Sequence, residues 1–166
     1  MTLTLNELLG SLSISFLLKD GVLYAPEKID ESVQLPPVDA LPDPIRINMA
    51  GLRTINSYGT RRLLGLIRGL GSRRFVYLDC PSVFVDTLNI VRDLLGEDQD
   101  PRVVQSFSVP LYCDSCSTYS SVLVQHAAVK PGAEGLGLPA QRCAKCGGQS
   151  SVDVDPEEYL AFARGR

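Results

Sequence analysis

Five cysteines and a single histidine are the sulfur and imidazole metal ligands available to this 166-residue chain, and four of the cysteines fall in two pairs. Cys113-Asp-Ser-Cys116 and Cys143-Ala-Lys-Cys146 form C-x-x-C, a gap of 26 residues, and C-x-x-C again. At that spacing each pair can fold a tight knuckle that turns two thiolates toward one point, and two knuckles complete a tetrahedral site. Gly147 and Gly148, directly after the second pair, suit the sharp turn such a knuckle needs. Four protein thiolates leave no open coordination position, so the expected cofactor is a structural Zn2+ ion and not a Lewis acid. Its binding would supply folding energy to a unit with little core of its own. Two disulfides and an iron–sulfur cluster are the alternatives for the same four residues.

The remaining soft side chains carry no assigned role. Cys80 follows the run RFVYLD with no partner in sequence and reads as a small buried hydrophobe at a strand end. His126 lies in the apolar run VLVQHAAV and reads as a surface or core histidine. One His, no glycine-rich phosphate loop, no G-x-S-x-G elbow and no open metal position argue for a protein that is not an enzyme.

Charge narrows the partners. Sixteen Lys plus Arg against nineteen Asp plus Glu give a net charge of -3, which argues against a wholly basic nucleic-acid binder. Between Cys113 and Val152 the only charges are Lys130, Arg142 and Lys145 against Asp114 and Glu134, too few for a phosphate-binding stripe. From Pro44 to Leu78, however, there is no acid, and Arg46, Arg53, Arg61, Arg62, Arg68, Arg73 and Arg74 stand together. That window reads either as a docking face for an acidic or phosphate-bearing partner or as a solvated face balanced by Asp86, Asp93, Glu97, Asp98 and Asp100.

The elements that must position these residues follow from periodicity. Leu12, Ile14, Phe16 and Leu18, the turn Asp20-Gly21 and the run Val22 to Ala25 predict an N-terminal β-hairpin. Five prolines between Pro26 and Pro44 predict a long loop, with room for one short helical turn between Lys28 and Leu35. Then come a strand over Ile45 to Met49, a helix over Gly59 to Leu70 and a strand over Arg74 to Asp79. A second helix carries Phe84, Leu88, Val91 and Leu95, with Ser82 as N-cap and Gly96 as stop, and a strand over Val103 to Val109 follows. Such a βαβαβ run requires right-handed crossovers and a parallel sheet. Beyond Pro110, short runs at Thr118 to Gln125 and Ser150 to Val154 flank a Gly/Pro-rich insert from Lys130 to Pro139. Asp155-Pro156 then starts a terminal helix.

Between the strand IRINM and the first helix stands Ile55-Asn56-Ser57-Tyr58-Gly59. In that place it resembles the turn of the STAS domain family, the sulfate-transporter and anti-sigma-factor-antagonist fold, in which Asp-Ser/Thr-x-Gly leads from a parallel strand into a helix. The resemblance covers roughly residues 10 to 110, and Asn56 departs from the family's Asp. It implies a non-catalytic switch that binds a protein partner, a kinase or an anti-sigma-type regulator, with Ser57 at the phosphoacceptor position and the adjacent helix as docking surface. Asn56, Tyr58, Arg61, Arg62 and Arg68 are then the partner-binding candidates. Independently of the resemblance, Ser57 lies at a helix N-terminus, where free N–H groups favour an anion, and N-capping is the simpler role for its hydroxyl. Pro110-Leu111-Tyr112-Cys113 resembles the junction of bacterial proteins that join such a domain to a four-cysteine ribbon.

The expectation is therefore an α/β chain: a STAS-like mixed sheet with helices over residues 1–110, then a small β zinc-ribbon unit with a terminal helix over residues 111–166. The expected function is a regulatory protein-interaction module, and the alternative is a nucleic-acid-binding adaptor using the ribbon or the arginine-rich helix face. The N-terminus has no positive region, and the apolar stretch ending at Leu18 is too short to span a bilayer, so a cytoplasmic protein without membrane insertion is expected.

Overall fold

A computed structural model describes residues 15–129, 137–138 and 140–164. It is a mixed α/β chain. The first half contains β1 (Leu17–Lys19), β2 (Val22–Tyr24), β3 (Lys28–Ile29), β4 (Ile45–Asn48), β5 (Thr54–Ile55), α1 (Ser57–Gly69), β6 (Phe75–Leu78) and α2 (Ser82–Ile90). The second half contains β7 (Ser106–Cys113), β8 (Thr118–Gln125), β9 (Gln141–Arg142), β10 (Gln149–Val152) and α3 (Pro156–Tyr159). Among the described residues no helix is long and apolar enough to cross a membrane.

The first sheet has the order β1-β2-β4-β6, antiparallel at β1/β2 and parallel at β2/β4 and β4/β6. Asp20 and Gly21 turn β1 into β2 with φ of 50° and 75°, the left-handed pair that a two-residue hairpin requires. Leu12 and Ile14, expected in the first strand, lie outside the described residues. Ile45, Ile47 and Met49 are fully buried on one face, in the same hydrophobic cluster as Leu63, Leu66 and Ile67 of α1.

The expected third parallel strand is displaced. A 3-10 turn over Pro101–Val103, capped by the Asp100 carboxylate, occupies its start, and β7 begins only at Ser106. The Asp-Pro pair favours that turn, because the carboxylate accepts the Arg102 N–H at 2.9 Å. Parallel contact with the β6 side is limited to the bridges Tyr77↔Val104 and Cys80↔Phe107. Asp79 reinforces it: its carboxylate accepts Asn48 Nδ2 at 3.0 Å and Ser106 Oγ at 2.8 Å, tying the ends of β4, β6 and β7 together. β7 then belongs to a second, antiparallel sheet of order β8-β7-β10-β9.

Two other expectations change. The stretch from Pro26 to Pro44 contains β3, paired in parallel with β5, in place of a helical turn, and a 3-10 turn over Val38–Ala40. Tertiary burial decides this: Ile29 and Val33 are fully buried, and Arg73 holds the carbonyls of Val38, Leu41 and Pro42 at 2.7, 2.6 and 3.0 Å. In α2, Pro81 and not Ser82 is the N-cap, because its φ of -69° and ψ of 163° are extended while its carbonyl accepts Phe84 N–H and Val85 N–H. The helix ends at Ile90 and a 3-10 turn over Arg92–Leu95 continues its apolar stripe to Gly96, whose φ of 90° stops it.

One hydrophobic cluster runs from Phe16 to Phe162. The terminal helix joins it, with the Asp155 carboxylate capping Glu157 N–H and Glu158 N–H at 2.8 and 3.1 Å. Asn89 of α2 bonds Tyr159 O and Phe162 N–H, and Arg92 of the following 3-10 turn bonds the carbonyls of Ala161 and Arg164.

At Gly59, α1 packs directly against the backbone of β3. A Cβ on Gly59 would stand 2.1 Å from Ile29 O, whereas one on Gly65 would meet nothing within 4 Å. Gly59→Ala is therefore expected to lower unfolding free energy by roughly 1–3 kcal/mol in urea titrations. Gly65→Ala should be neutral or stabilising by up to about 1 kcal/mol.

Candidate functional site

Each cysteine pair sits at the tip of a hairpin. Cys113 and Thr118 are the last register partners of β7 and β8, and Arg142 and Gln149 close the β9–β10 hairpin. The two tips share one backbone solution: four residues after each leading cysteine, Ser117 and Gly147 take φ of 53° and 73°. In the second tip, Gly147 N–H bonds Cys143 O at 2.9 Å and Cys143 N–H bonds Gly148 O at 2.8 Å. A Cβ on Gly148 would lie 2.7 Å from Ser115 Oγ, so the knuckles pack directly on one another.

This packing brings all four sulfurs within 4.8 Å of one another. Cys113 Sγ lies 3.6 Å from Cys146 Sγ, and Cys116 Sγ lies 3.6 Å from Cys143 Sγ, both contacts running between knuckles. An ion about 2.3 Å from each of four tetrahedral sulfurs would separate them by about 3.8 Å, so the donor set and its spacing fit a metal. Cys113 and Cys143 are buried, Cys116 is half-buried and Cys146 is exposed. Backbone N–H groups of Cys146 and Lys145 pull the Cys143 thiol down to about 6. Gly148 N–H acts on Cys146 in the same direction, but the facing cysteines outweigh it and push that thiol up to about 12. Crowded thiolates repel unless a cation lies between them, and a divalent ion would remove that opposition.

Among the described residues no second cluster of this kind exists. His126 lies at the opposite end of β8, its Nδ1 2.8 Å from Val104 O and its ring edge-on to Phe107 and Phe162. Cys80 is fully buried, and burial pushes its thiol up.

The second candidate region is the turn into α1. Asn56, not Ser57, is the N-cap: its backbone is extended, its carbonyl accepts Thr60 N–H at 2.8 Å, and its Oδ1 accepts Gly59 N–H at 2.8 Å. Ser57 is the first helical residue and is exposed. Tyr58 is 60% exposed, with the Arg61 guanidinium 5.8 Å from its ring centre. The other arginine candidates have partners within the chain. Arg62 Nε bonds Val33 O at 3.2 Å, and Arg68 pairs with Asp93 at 2.9 Å, one of the acids expected to balance the window.

Periodicity missed the acids that do reach this turn, because they come from the proline-rich stretch. Glu31 accepts Asn56 Nδ2 at 3.1 Å. Its neighbour Asp30 is buried, pairs with Lys28 at 2.7 Å and accepts both the N–H and the hydroxyl of Ser32. The only signal in sequence was Asp30 two residues before Ser32, the spacing of a side-chain turn.

No family model, curated protein or solved structure matches this chain.

The Lys28 and Ser32 bonds bring the Asp30 carboxyl from 3.8 down to about 2. A folded-state value below the unfolded one contributes stability that is present above about pH 4 and lost as pH falls toward 2. Acid titration of unfolding should therefore steepen between pH 4 and 2 in the parent chain and flatten in Asp30→Asn, with fluorescence of the chain's tyrosines as readout.

Proposed function

We propose that the chain is a non-catalytic, STAS-like regulatory module that binds a protein partner through the α1 turn and carries a structural zinc ion in a ribbon built from β7 to β10. The observation that carries the docking reading is the exposed Tyr58–Arg61 pair beside Ser57. An aromatic ring with a cation over it offers apolar area and a directed charge together, the composition of an interface anchor. Arg62 is bonded to Val33 O and Arg68 forms a solvent-exposed pair with Asp93, so fewer of the window's charges are left without a partner to meet phosphates, which counts against the nucleic-acid alternative.

In this reading Ser57 is the regulated position. A phosphate there would meet the first-turn N–H groups of α1, which have no intrahelical acceptor, and would lie close to Glu31, the carboxylate bonded to the cap. The modification would thus set helix-terminus attraction against carboxylate repulsion and alter what the Tyr58–Arg61 face presents. Recovery of a partner by the immobilised chain should fall at least about tenfold, about 1.4 kcal/mol, for Tyr58→Ala and for Arg61→Glu. It should change for Ser57→Asp while circular dichroism stays the same. Equal recovery by all four proteins would remove the proposal.

Zinc follows from the thiolate-only donor set, since four sulfurs in a closed site select it over harder ions. Bound, it would change the formal charge from -3 to about -5. Protein purified without added metal should hold about one zinc per chain, and Cys113→Ser or Cys143→Ser should hold none. Chelation should melt the β7–β10 unit, because metal affinity there is folding energy. Iron absorbance, or four thiols absent from titration after denaturation, would identify a cluster or disulfides instead.

A further inference from the structure

Strand β8 is an eight-residue outer edge of the second sheet, and among the described residues its one strand neighbour is β7. The direction of its free backbone groups follows from β7. Ser108 N–H bonds Cys80 O, Ser106 O accepts Cys80 N–H, and Pro110 O accepts Asp153 N–H. The even-numbered residues of β7 thus face away from β8, and its odd-numbered residues pair with Thr118, Ser120, Val122 and Val124 in the observed register. The N–H and C=O groups of Tyr119, Ser121, Leu123 and Gln125 consequently point to the open edge, and among the described residues no other backbone group meets them.

Exposed edges are ordinarily protected by shortness, charge, proline or a bulge. β1 and β9 follow that rule, with three residues including Lys19 and with two residues. β8 does not: no Asp, Glu, Lys or Arg occurs from Ser115 to Val129, and no proline. Tyr119 and Leu123 stand 70% and 49% exposed on its solvent face.

We propose that this edge pairs with the same edge of a second copy, β8 to β8 antiparallel about a two-fold axis through Ser121. The register recommends itself. It matches outward-facing residues with outward-facing residues and sets Tyr119 of each copy opposite Leu123 of the other, an aromatic–aliphatic pair on one face. A neutral edge meets a neutral edge, so no like charges are opposed where the copies touch. The contact is isologous and closes as a dimer. A contact made by one strand edge on each side is a small interface, so the dimer forms reversibly with concentration.

Because Ser121 faces its own counterpart, a charge there is tested against itself. Sedimentation of the full chain up to about millimolar concentration should show a rise toward twice the 18.0 kDa monomer mass. Ser121→Lys and Ser121→Glu should each remain monomeric, and an equimolar mixture of the two should associate again, since opposite charges then face across the axis. Ser121 N–H belongs to no intramolecular ladder bond, so Ser121→Pro should also abolish association with the fold and metal content unchanged. A parent chain that stays monomeric throughout overturns the proposal, as does association that survives both single charges.

Discussion

Phe107, Val109, Leu111 and Cys113 alternate on one buried face of β7, and that alternation joins the apolar core to the cysteine centre. The early part of the strand is held against Cys80 and Asp79 beside the parallel sheet; its last residue is the first cysteine of the cluster. A period of two leaves no freedom between these ends: a one-residue slip would expose Phe107 and Val109 and turn Cys113 away from the other sulfurs. β8 and β10 take their registers from β7, and the terminal helix is held to it by the Tyr159 hydroxyl on Ser108 O. Position 110 lies in the middle of this strand, so α/β layer and cysteine hairpins share a backbone element.

At the other end of the chain's chemistry, α1 begins where close packing allows no side chain. Gly59 sits against Ile29 O, Asn56 caps the same turn, and Glu31 reaches Asn56 from the segment that follows β3. The turn is thereby fixed by the segment from Ile29 to Glu31, distant from it in sequence. Asn56, Ser57, Tyr58, Arg61 and Arg62 are exposed there, and the Arg61 guanidinium over the Tyr58 ring sets that pair apart as the docking face proposed above.

Regular elements were legible wherever one periodicity ran uninterrupted. Thr118 to Gln125 is a strand with the expected bounds, the strands around Ile45 and Phe75 lie within a residue or two of expectation, and Asp155-Pro156 starts a helix. α1 begins at Ser57, two residues before the expected Gly59, because the extended backbone at Asn56 makes that residue, not Ser57, the cap. The pairing of β3 with β5 and the two-residue strand β9 were invisible, since two residues carry no period. In the region after Asp100, a side-chain cap competed with a strand and won.

By itself, the sequence determined the donor set: four thiolates in two C-x-x-C pairs, with glycines after the second, restrict the chemistry to soft-metal or sulfur bonding whatever the fold. It also determined the order of the longer strands and helices, because burying an amphipathic stripe is a local property. Only the tertiary structure decided that both knuckles meet with sulfurs 3.6 Å apart across them, that Arg62, Arg68 and Arg73 are spent on carbonyls and Asp93, and that Glu31 faces the Asn56 turn. The spacing implied that the knuckles meet but not at what distance, and the arginine and Glu31 contacts join residues that neither spacing nor composition relates, so chain folding alone sets which charges become neighbours.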